Sequence, residues 1–507
     1  MLTLTLEGNG LTIEALVAAA SNAGQFTINP EALDRMVQSR RLVEQAIDEK
    51  IPVYGVTTGL GARATETLDA KTLAEFSLQT LKGRAHAIGP SDSAENVRAT
   101  MIVRLNTLLT GYSGADPAVA DHLLACLNAG LTPVVGSIGS VGAGDLILGA
   151  TLGLALTGDG QMQDKTGKVG ASDAMMRALG INPLIVGPRD GLALANNSCY
   201  VAAAAAIAMQ LAQTAYQSAQ TAAALSMEAF RANLSTLNPQ VLAVKPLPGQ
   251  QQAAKDLRQR LTGSQLFEEG QARRLQDPIS IRNVPDIHGV VAAALEFARP
   301  VIEIEINSAS DNPLALASEG KIVSGGAYFT AELVNVVETV SRAFAQLSIA
   351  QLARISKHLN PEFSGLPTFL AKPESGSNGF APLMKVAEAQ LSELLHDAQP
   401  VLIWPSINAN GVEDCITSAP TAVRALASVA RASCTLSAIE LIIATQAVEL
   451  RDVKAQLGPY LASVFKSVRE VSAELDEDRP LGGDVMALAK STQSGLFNGK
   501  NHQQGNF

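Results

Sequence analysis

Long runs with helical periodicity occupy most of this 507-residue chain and set its fold class. One alanine-rich run extends over about 192–232, and a second run extends over 331–358. In the second run apolar residues recur at intervals of three and four, as one buried helix face requires. Small side chains let neighbouring helix backbones approach closely, which favours a central bundle. The sequence therefore predicts an all-α fold with a small mixed part at the N-terminus.

Shorter segments complete this prediction. The same periodicity predicts helices over 69–81, 93–109, 117–129 and 424–453, whereas residues 1–7 alternate as a strand does. We predict two domains. Residues 1–190 form an N-terminal part that holds a glycine-rich loop, and residues 191–507 form the central and C-terminal helical bundle.

Composition narrows the classes of partner. Only 17% of residues are charged and 47% are hydrophobic, so part of the outer surface is expected to be buried in an oligomer. The net charge is −10, which argues against nucleic acid as a partner because phosphate binding needs a basic surface. The most apolar stretch, 201–209, is shorter than the roughly 20 residues that cross a bilayer. With no signal-peptide pattern at the N-terminus, we expect a soluble, cytoplasmic protein with a small-molecule substrate and no membrane partner.

Cysteine and histidine spacing gives no sign of a metal site. The six histidines include no H-x-x-x-H pair. The cysteines also lack metal-type spacing, and we expect buried free thiols in a reducing compartment at Cys126, Cys199, Cys415 and Cys434.

A glycine-rich segment at 131–146, L-T-P-V-V-G-S-I-G-S-V-G-A-G-D-L, interrupts the helical pattern. A dinucleotide-binding fingerprint would need a preceding strand in a βαβ unit, and the surrounding pattern is helical. A tight turn between helices is the plainer interpretation. A chemical role emerges only when the segment is taken together with others.

Several segments, in order along residues 53–414, resemble motifs of the histidine/phenylalanine ammonia-lyase family. Besides the loop, they are V-Y-G-V-T-T-G-L-G at 53–61, A-H-A-I-G at 85–89, G-L-A-L-A-N-N-S at 191–198, Q-D-P-I-S-I-R at 276–282, N-S-A-S-D-N-P-L at 307–314, S-G-L-P at 364–367 and G-V-E-D at 411–414. The resemblance implies the family fold, an all-α homotetramer with long parallel helices. It also implies active sites assembled from three subunits, with Tyr54, Arg282 and Glu413 coming from different subunits.

The loop departs from the family pattern at one position. The family's loop reads G-S-V-G-A-S-G-D-L, and its Ala-Ser-Gly cyclises into the electrophile methylidene-imidazolone (MIO). Here Gly142, Ala143 and Gly144 form the same string without the serine that supplies the methylidene carbon. We therefore expect no MIO and no other cofactor. Ser140 is a poor substitute, because the branched Val141 after it hinders the amide attack that glycine permits.

Supporting positions depart from the family pattern as well. The tyrosine of the family's Q-D-x-Y-S-x-R is Ile279, the asparagine of its N-T-G is Thr57, and its N-F-H-G is A-Y-F-T at 327–330. The electrophile and much of its supporting shell are thus expected to be lost.

The resemblance also suggests catalytic residues. Arg282 would hold the substrate α-carboxylate in a bidentate pair, unless it forms an internal ion pair. Tyr54 is the candidate base for the β-proton, unless it is a core tyrosine; a phenol acts as a base near neutral pH only beside positive charge. Lys385 could supply that charge or bind the carboxylate, or it could form a surface pair with Glu388. Glu413 could face the substrate cation or act as the base, or it could be a carboxylate at a helix N-terminus.

Further residues are expected to bind the substrate. Asn196 lies in the G-L-A-L-A-N motif, and His86 is a candidate contact for an aromatic ring. Asp286 and His288 could hydrogen-bond an imidazole-thione ring, or they could be ordinary polar residues.

These departures point to a leaving group that needs no electrophile. A primary amine leaves poorly, whereas trimethylamine leaves as a neutral molecule. The sequence resembles the MIO-free branch represented by ergothionase, which releases trimethylamine from ergothioneine and gives thiourocanate. Two alternatives stay open. One is an ammonia-lyase or aminomutase acting on histidine or another aromatic amino acid with an MIO built from Ser140, and the other is a non-catalytic relict of the fold.

Overall fold

The computed structural model of the chain describes residues 3–21, 24–60, 68, 70–373 and 375–499. Its residues cluster in two units. The first unit draws on 1–210, 299–335 and 401–424, and the second draws on 211–298, 336–400 and 425–507. The predicted division at residue 190 is contiguous in sequence and stays a prediction.

Helices make up most of the described chain. They are α1 (Ile13–Ser21), α2 (Pro30–Asp48), α3 (Ala70–Lys82), α4 (Ala94–Leu108), α5 (Pro117–Ala129), α6 (Leu146–Leu156), α7 (Ser172–Arg177), α8 (Asp190–Ala195), α9 (Cys199–Phe230), α10 (Pro239–Leu242), α11 (Pro248–Arg260), α12 (Ile279–Arg282), α13 (Val284–Glu305), α14 (Ala331–Leu359), α15 (Pro361–Ser364), α16 (Ala381–Asp397), α17 (Asn408–Gly411), α18 (Ala419–Leu450), α19 (Pro459–Val471) and α20 (Gly482–Gln493). The all-α prediction is confirmed. The helix expected at 424–453 begins earlier, at Ala419.

Short strands accompany the helices of the first unit. They are β1 (Thr3–Leu6), β2 (Gln25–Ile28), β3 (Ile88–Ser91), β4 (Thr132–Pro133), β5 (Gly136–Ile138), β6 (Gln161–Gln163), β7 (Val169–Ala171), β8 (Leu314–Leu316) and β9 (Lys321–Val323). β1 pairs with β2 in parallel, whereas β3–β5, β4–β6–β7 and β8–β9 pair antiparallel. Strand structure therefore extends beyond the N-terminal part that the sequence predicts.

Capping side chains fix where several helices of the first unit begin. The Asn29 side chain accepts a hydrogen bond from the Glu31 amide before α2, and Ser93 accepts one from the Asn96 amide before α4. Asp116 caps α5 in the same way. Each cap satisfies an amide that has no partner within its own helix, which is worth about 1 kcal/mol.

A buried ion-pair network anchors the segment 307–314 in the first unit. Arg104 Nη2 lies 2.8 Å from Asp311 Oδ1, and Arg189 Nη2 lies 3.1 Å from the same oxygen. Burial alone would raise the pKa of Asp311, but Arg104, Arg189 and the Ser113 hydroxyl together outweigh burial and the pKa is lowered. Removing one partner from such a network leaves an uncompensated buried charge, so the segment is held firmly.

A second buried network joins three long helices of the second unit. Arg354 of α14 contacts Glu440 of α18 in a bidentate pair, with N–O distances of 2.6 and 3.0 Å. Ser226 of α9 donates a hydrogen bond to the same carboxylate at 2.8 Å. Apolar and alanine faces alone leave the register of neighbouring helices weakly specified, and a satisfied polar network of this kind favours a single register.

Two stretches are long and apolar enough to cross a bilayer by length and composition, Asp190–Phe230 and Ala419–Leu450. The expectation from residues 201–209 alone missed their full length. The most apolar 18-residue part of each stretch is 89% and 78% buried inside the protein, respectively, as is usual for core helices.

Candidate active site

A cavity of about 720 Å³ lies in the first unit and collects four of the predicted site residues. These are Tyr54, Ala143, Asn196 and Glu413. They come from segments far apart in sequence, and the fold of one chain brings them together.

A closed turn after α2 positions Tyr54. The amides of Val56, Thr57 and Thr58 all donate hydrogen bonds to the Val53 carbonyl. The Thr57 hydroxyl donates to the Ile51 carbonyl at 2.6 Å and accepts from the Val53 amide at 2.7 Å. Thr57, which replaces the family's asparagine, thus holds the turn around half-buried Tyr54.

The glycine-rich loop is fastened at its centre by hydroxyl groups. The Gly142 carbonyl accepts hydrogen bonds from the Thr330 hydroxyl at 3.1 Å and the Thr417 hydroxyl at 3.0 Å. The Gly144 amide donates to the Tyr328 carbonyl at 3.1 Å, and Ala143 lies on the cavity wall. The loop is therefore an ordered part of the cavity.

A side chain at Gly144 would displace the Asn196 amide group. The φ of Gly144 is +72°, a conformation that residues with a side chain rarely adopt, and an added Cβ would lie 2.5 Å from Asn196 Oδ1. A serine at this position would therefore be strained.

Ser140 serves the loop itself. Its hydroxyl donates to Asp145 Oδ1 at 2.6 Å and accepts from the Gly142 amide at 3.1 Å. Burial raises the pKa of Asp145 to about 6 even though Ser140 and the Val201 amide donate to its carboxylate. Ser140 is not among the residues that line the cavity.

Asn196 and Asn312 supply amide groups to the cavity. Asn196 is buried, and its Nδ2 lies 3.4 Å from the Asn312 carbonyl oxygen. Asn312 follows Asp311 directly, so the buried ion pairs of Asp311 with Arg104 and Arg189 fix its place.

Glu413 lies in the loop between α17 and α18, and its side chain is half-buried on the cavity wall. Its amide donates to the Asn408 carbonyl at 3.2 Å. Since α18 begins only at Ala419, the interpretation of Glu413 as a helix N-terminal carboxylate is wrong.

Nearby Cys415 is an exposed free thiol on the same wall, so the expectation of four buried cysteines holds only for the other three.

The remaining predicted residues do not line this cavity. His86 belongs to the first unit, but its side chain is exposed in the segment before β3. Arg282 ends α12 in the second unit and is half-buried. Its amide donates to the Pro278 carbonyl, whereas its guanidinium makes no hydrogen bond or ion pair with a residue that the structure describes. Burial raises the pKa of nearby Asp277, and the positive charge of Arg282 partly opposes that rise. Lys385 is exposed on α16, and no ion pair with Glu388 is present in this described helix.

Asp286 and His288, both on α13 of the second unit, are bonded within the protein. The Asp286 carboxylate accepts from Gln250 Nε2 at 2.6 Å and from Asn283 Nδ2 at 3.0 Å. His288 is fully buried, and its Nδ1 lies 3.0 Å from Gln220 Oε1. Burial holds the pKa of His288 well below its usual value. His288 is thus a core histidine, a correction to the expected ring contact.

Several residues of the cavity were not predicted from the sequence. Arg84, Asn312, Tyr328 and Cys415 line it, and all lie in or beside segments that resemble family motifs. Their proximity to those motifs was the available signal. No group of His, Cys, Asp or Glu side chains suited to a metal ion occurs among the described residues.

The model of the aromatic amino acid lyase family matches residues 11–470. The chain belongs to this family. A histidine ammonia-lyase of Geobacillus thermodenitrificans is 35% identical over 489 residues, which cover 96% of each chain. The crystal structure of ergothionase from Treponema denticola superposes with a TM-score of 0.93 at 26% identity, covering 98% of this chain and 99% of that one. Histidine ammonia-lyase from Trypanosoma cruzi superposes with a TM-score of 0.90 at 28% identity and covers 98% and 94%.

Membership of the aromatic amino acid lyase family fixes the class of chemistry. This lyase is an enzyme that breaks a carbon–nitrogen bond. Members of the family act on small amino-acid substrates and typically use an MIO group formed from the protein itself. In this lyase the corresponding loop, Gly142–Ala143–Gly144, lacks the serine and borders the cavity that holds Tyr54 and Glu413.

Proposed function

We propose that this lyase eliminates trimethylamine from ergothioneine without an MIO group. A base takes a proton from the β-carbon, and the electron pair of that C–H bond becomes the new Cα–Cβ double bond. The Cα–N bond breaks with its electrons on nitrogen, so trimethylamine leaves neutral and thiourocanate remains. No oxidant, reductant or electrophile is needed.

The single observation that carries this proposal is the state of the glycine-rich loop. The serine that would supply the methylidene carbon is missing between Ala143 and Gly144, and a side chain at Gly144 would be strained by the positive φ and would displace Asn196. The other serine, Ser140, is hydrogen-bonded within the loop. A reaction that needs no electrophile agrees with both facts.

The proposed roles follow the charges of the substrate. Glu413 attracts the trimethylammonium group, and its carboxylate makes no hydrogen bond or ion pair within the described chain. Tyr54 is the candidate base, with Lys385 and Glu413 as the alternatives. Arg282 holds the carboxylate, and its guanidinium has no ion-pair partner in the described residues. Asn196 binds the substrate from the cavity wall.

We further propose a cytoplasmic homotetramer in which another subunit supplies Arg282 to the cavity. Leu275 and Ile279, which lie seven and three residues before Arg282, are 95% and 65% exposed in the single chain. In the first unit, Leu402 and Ile407 are 82% and 88% exposed. Large apolar side chains exposed to this degree are typical of surfaces that another subunit covers.

Trimethylamine release from ergothioneine, with histidine, phenylalanine and tyrosine assayed in parallel, tests the reaction. We expect turnover of ergothioneine and almost none of the primary amines. Faster turnover of any of the three amino acids would overturn the proposal. The mass of the denatured protein tests the loop separately, because MIO formation removes two waters and the proposal requires the full sequence mass.

Ammonia elimination from histidine is the second candidate, because curated relatives at 35% and 32% identity are histidine ammonia-lyases. It requires an MIO from Ser140 or another electrophile. Ammonia release from histidine, together with a mass deficit of two waters, would favour it.

A further inference from the structure

Arg84 brings to the cavity a cation that no described residue neutralises. Its side chain is half-buried and lines the cavity, yet it forms no hydrogen bond, ion pair or aromatic contact with the residues that the structure describes. Buried Arg104 and Arg189, by contrast, both contact Asp311. A guanidinium has five N–H donors in a planar fork, and withdrawing them from water without acceptors is costly.

The position of Arg84 in the sequence indicates which part of the substrate it contacts. Arg84 lies two residues after the end of α3 and two residues before His86, which is a candidate contact for the substrate ring. The His86 side chain is exposed and does not line the cavity, whereas the Arg84 side chain does. Of these two side chains, Arg84 is therefore the one that can contact a molecule in the cavity.

We propose that Arg84 binds the thione sulfur of the substrate's imidazole ring. The inference rests on the proposed function, which already assigns the carboxylate to Arg282, the ammonium to Glu413 and the β-proton to Tyr54. The ring stabilises positive charge, so its exocyclic sulfur carries partial negative charge. A weakly hydrated guanidinium suits this diffuse acceptor better than an ammonium does.

Arg84 then determines specificity at the ring. A site built to hydrogen-bond one substrate atom rejects the analogue that lacks it, because the buried polar group is left unpaired. The enzyme should favour ergothioneine over the sulfur-free trimethylbetaine of histidine, although the two share the carboxylate, the leaving group and the β-proton.

Arg84→Met and Arg84→Lys, assayed with both betaines, test this role. Lys82→Met is the matched control, because Lys82 lies two residues earlier and makes only a surface pair with Asp159 at 3.4 Å. In Arg84→Met we expect kcat/KM for ergothioneine to fall on the order of 100-fold and that for the sulfur-free betaine to change little. The kcat/KM of Arg84→Lys for ergothioneine should lie between those of the parent enzyme and Arg84→Met. The kcat/KM of Lys82→Met should match that of the parent enzyme.

An equal loss for both betaines would overturn the proposal, since Arg84 would then serve the carboxylate, the base or the fold. No loss for either would overturn it as well. Calorimetric titration of the full-length protein with imidazole-2-thione supplies a readout without turnover. The parent should bind this ring fragment and Arg84→Met should not.

The two arms separate this inference from the proposed function. If the parent binds the thione through Arg84 but releases no trimethylamine, the thione site stands and the proposed reaction fails. If the parent turns over ergothioneine and Arg84→Met keeps the parent's preference between the betaines, the reaction stands and the thione site fails. Absence of thione binding by the parent also rejects the site.

Discussion

Arg282 has a guanidinium that no carboxylate of the described chain neutralises at ion-pair distance. If Arg282 clamps the substrate carboxylate, Arg282→Met should lower kcat/KM for ergothioneine. The corresponding free-energy barrier should rise by roughly 2–4 kcal/mol, the range for truncating a buried charge pair. Lys466→Met on α19 is the control, because Lys466 is 80% exposed and makes only a long surface pair. An unchanged kcat/KM in a folded Arg282→Met enzyme would reject the clamp.

Cys415 differs from the other three cysteines in being exposed, and it lies on the cavity wall. Iodoacetamide should therefore modify one thiol of the native protein rapidly and remove most activity, because the added group occupies the cavity. Cys415→Ser should take up no rapid label and should keep its activity after treatment. Peptide mass mapping identifies the modified residue, and rapid labelling at Cys126, Cys199 or Cys434 would contradict their burial.

At the scale of elements, the junction between the glycine-rich loop and α6 contains a buried carboxyl group. The pKa of Asp145 rises from 3.8 to about 6 because the group is buried. As pH rises from about 4 to about 6, the unfolded chain loses this proton before the folded one does. The free energy of unfolding should therefore decrease across this window, by about 3 kcal/mol for this group, and level off above it.

Asp145→Asn should remove that pH dependence, which denaturant titrations between pH 4 and pH 7 measure. Asp164→Asn is a control of opposite sign. Hydrogen bonds from Thr166 lower the pKa of the exposed Asp164, so its contribution is present at higher pH and is lost on acidification. Equal slopes for the parent and Asp145→Asn would reject the interpretation.

At the scale of the whole molecule, the cavity changes which residues are expected to come from different subunits. The family resemblance implied that Tyr54, Arg282 and Glu413 belong to separate subunits. Tyr54 and Glu413 line the same cavity of one chain, so that expectation is corrected for this pair. Arg282 is the residue that another subunit is still proposed to supply.

Mixed tetramers test this assignment. Tyr54→Phe and Arg282→Met subunits, each inactive alone, should regain about a quarter of the parent's activity when mixed at random, because half of the sites receive each intact residue. Tyr54→Phe mixed with Glu413→Gln should regain none, since every cavity keeps one defect. Recovery in the second mixture and not in the first would reverse the assignment of subunits.

The sequence by itself determined the helical class, several helix ends and the chemistry that the loop can perform. Helical periodicity and capping residues such as Ser93 and Asp116 depend on neighbours along the chain, so they can be read without the fold. The missing serine beside Ala143 is likewise a covalent fact, because no packing can supply an absent atom.

Only the tertiary structure decided which polar side chains are buried, exposed or brought together. His288 and Lys385 both lie in helical segments, yet one is in the core and the other is in water. Arg84 and Cys415 reach the cavity of Tyr54 because distant segments pack together. Periodicity identifies the apolar face of a helix but not what packs against it, and the environment of a polar side chain depends on that second surface.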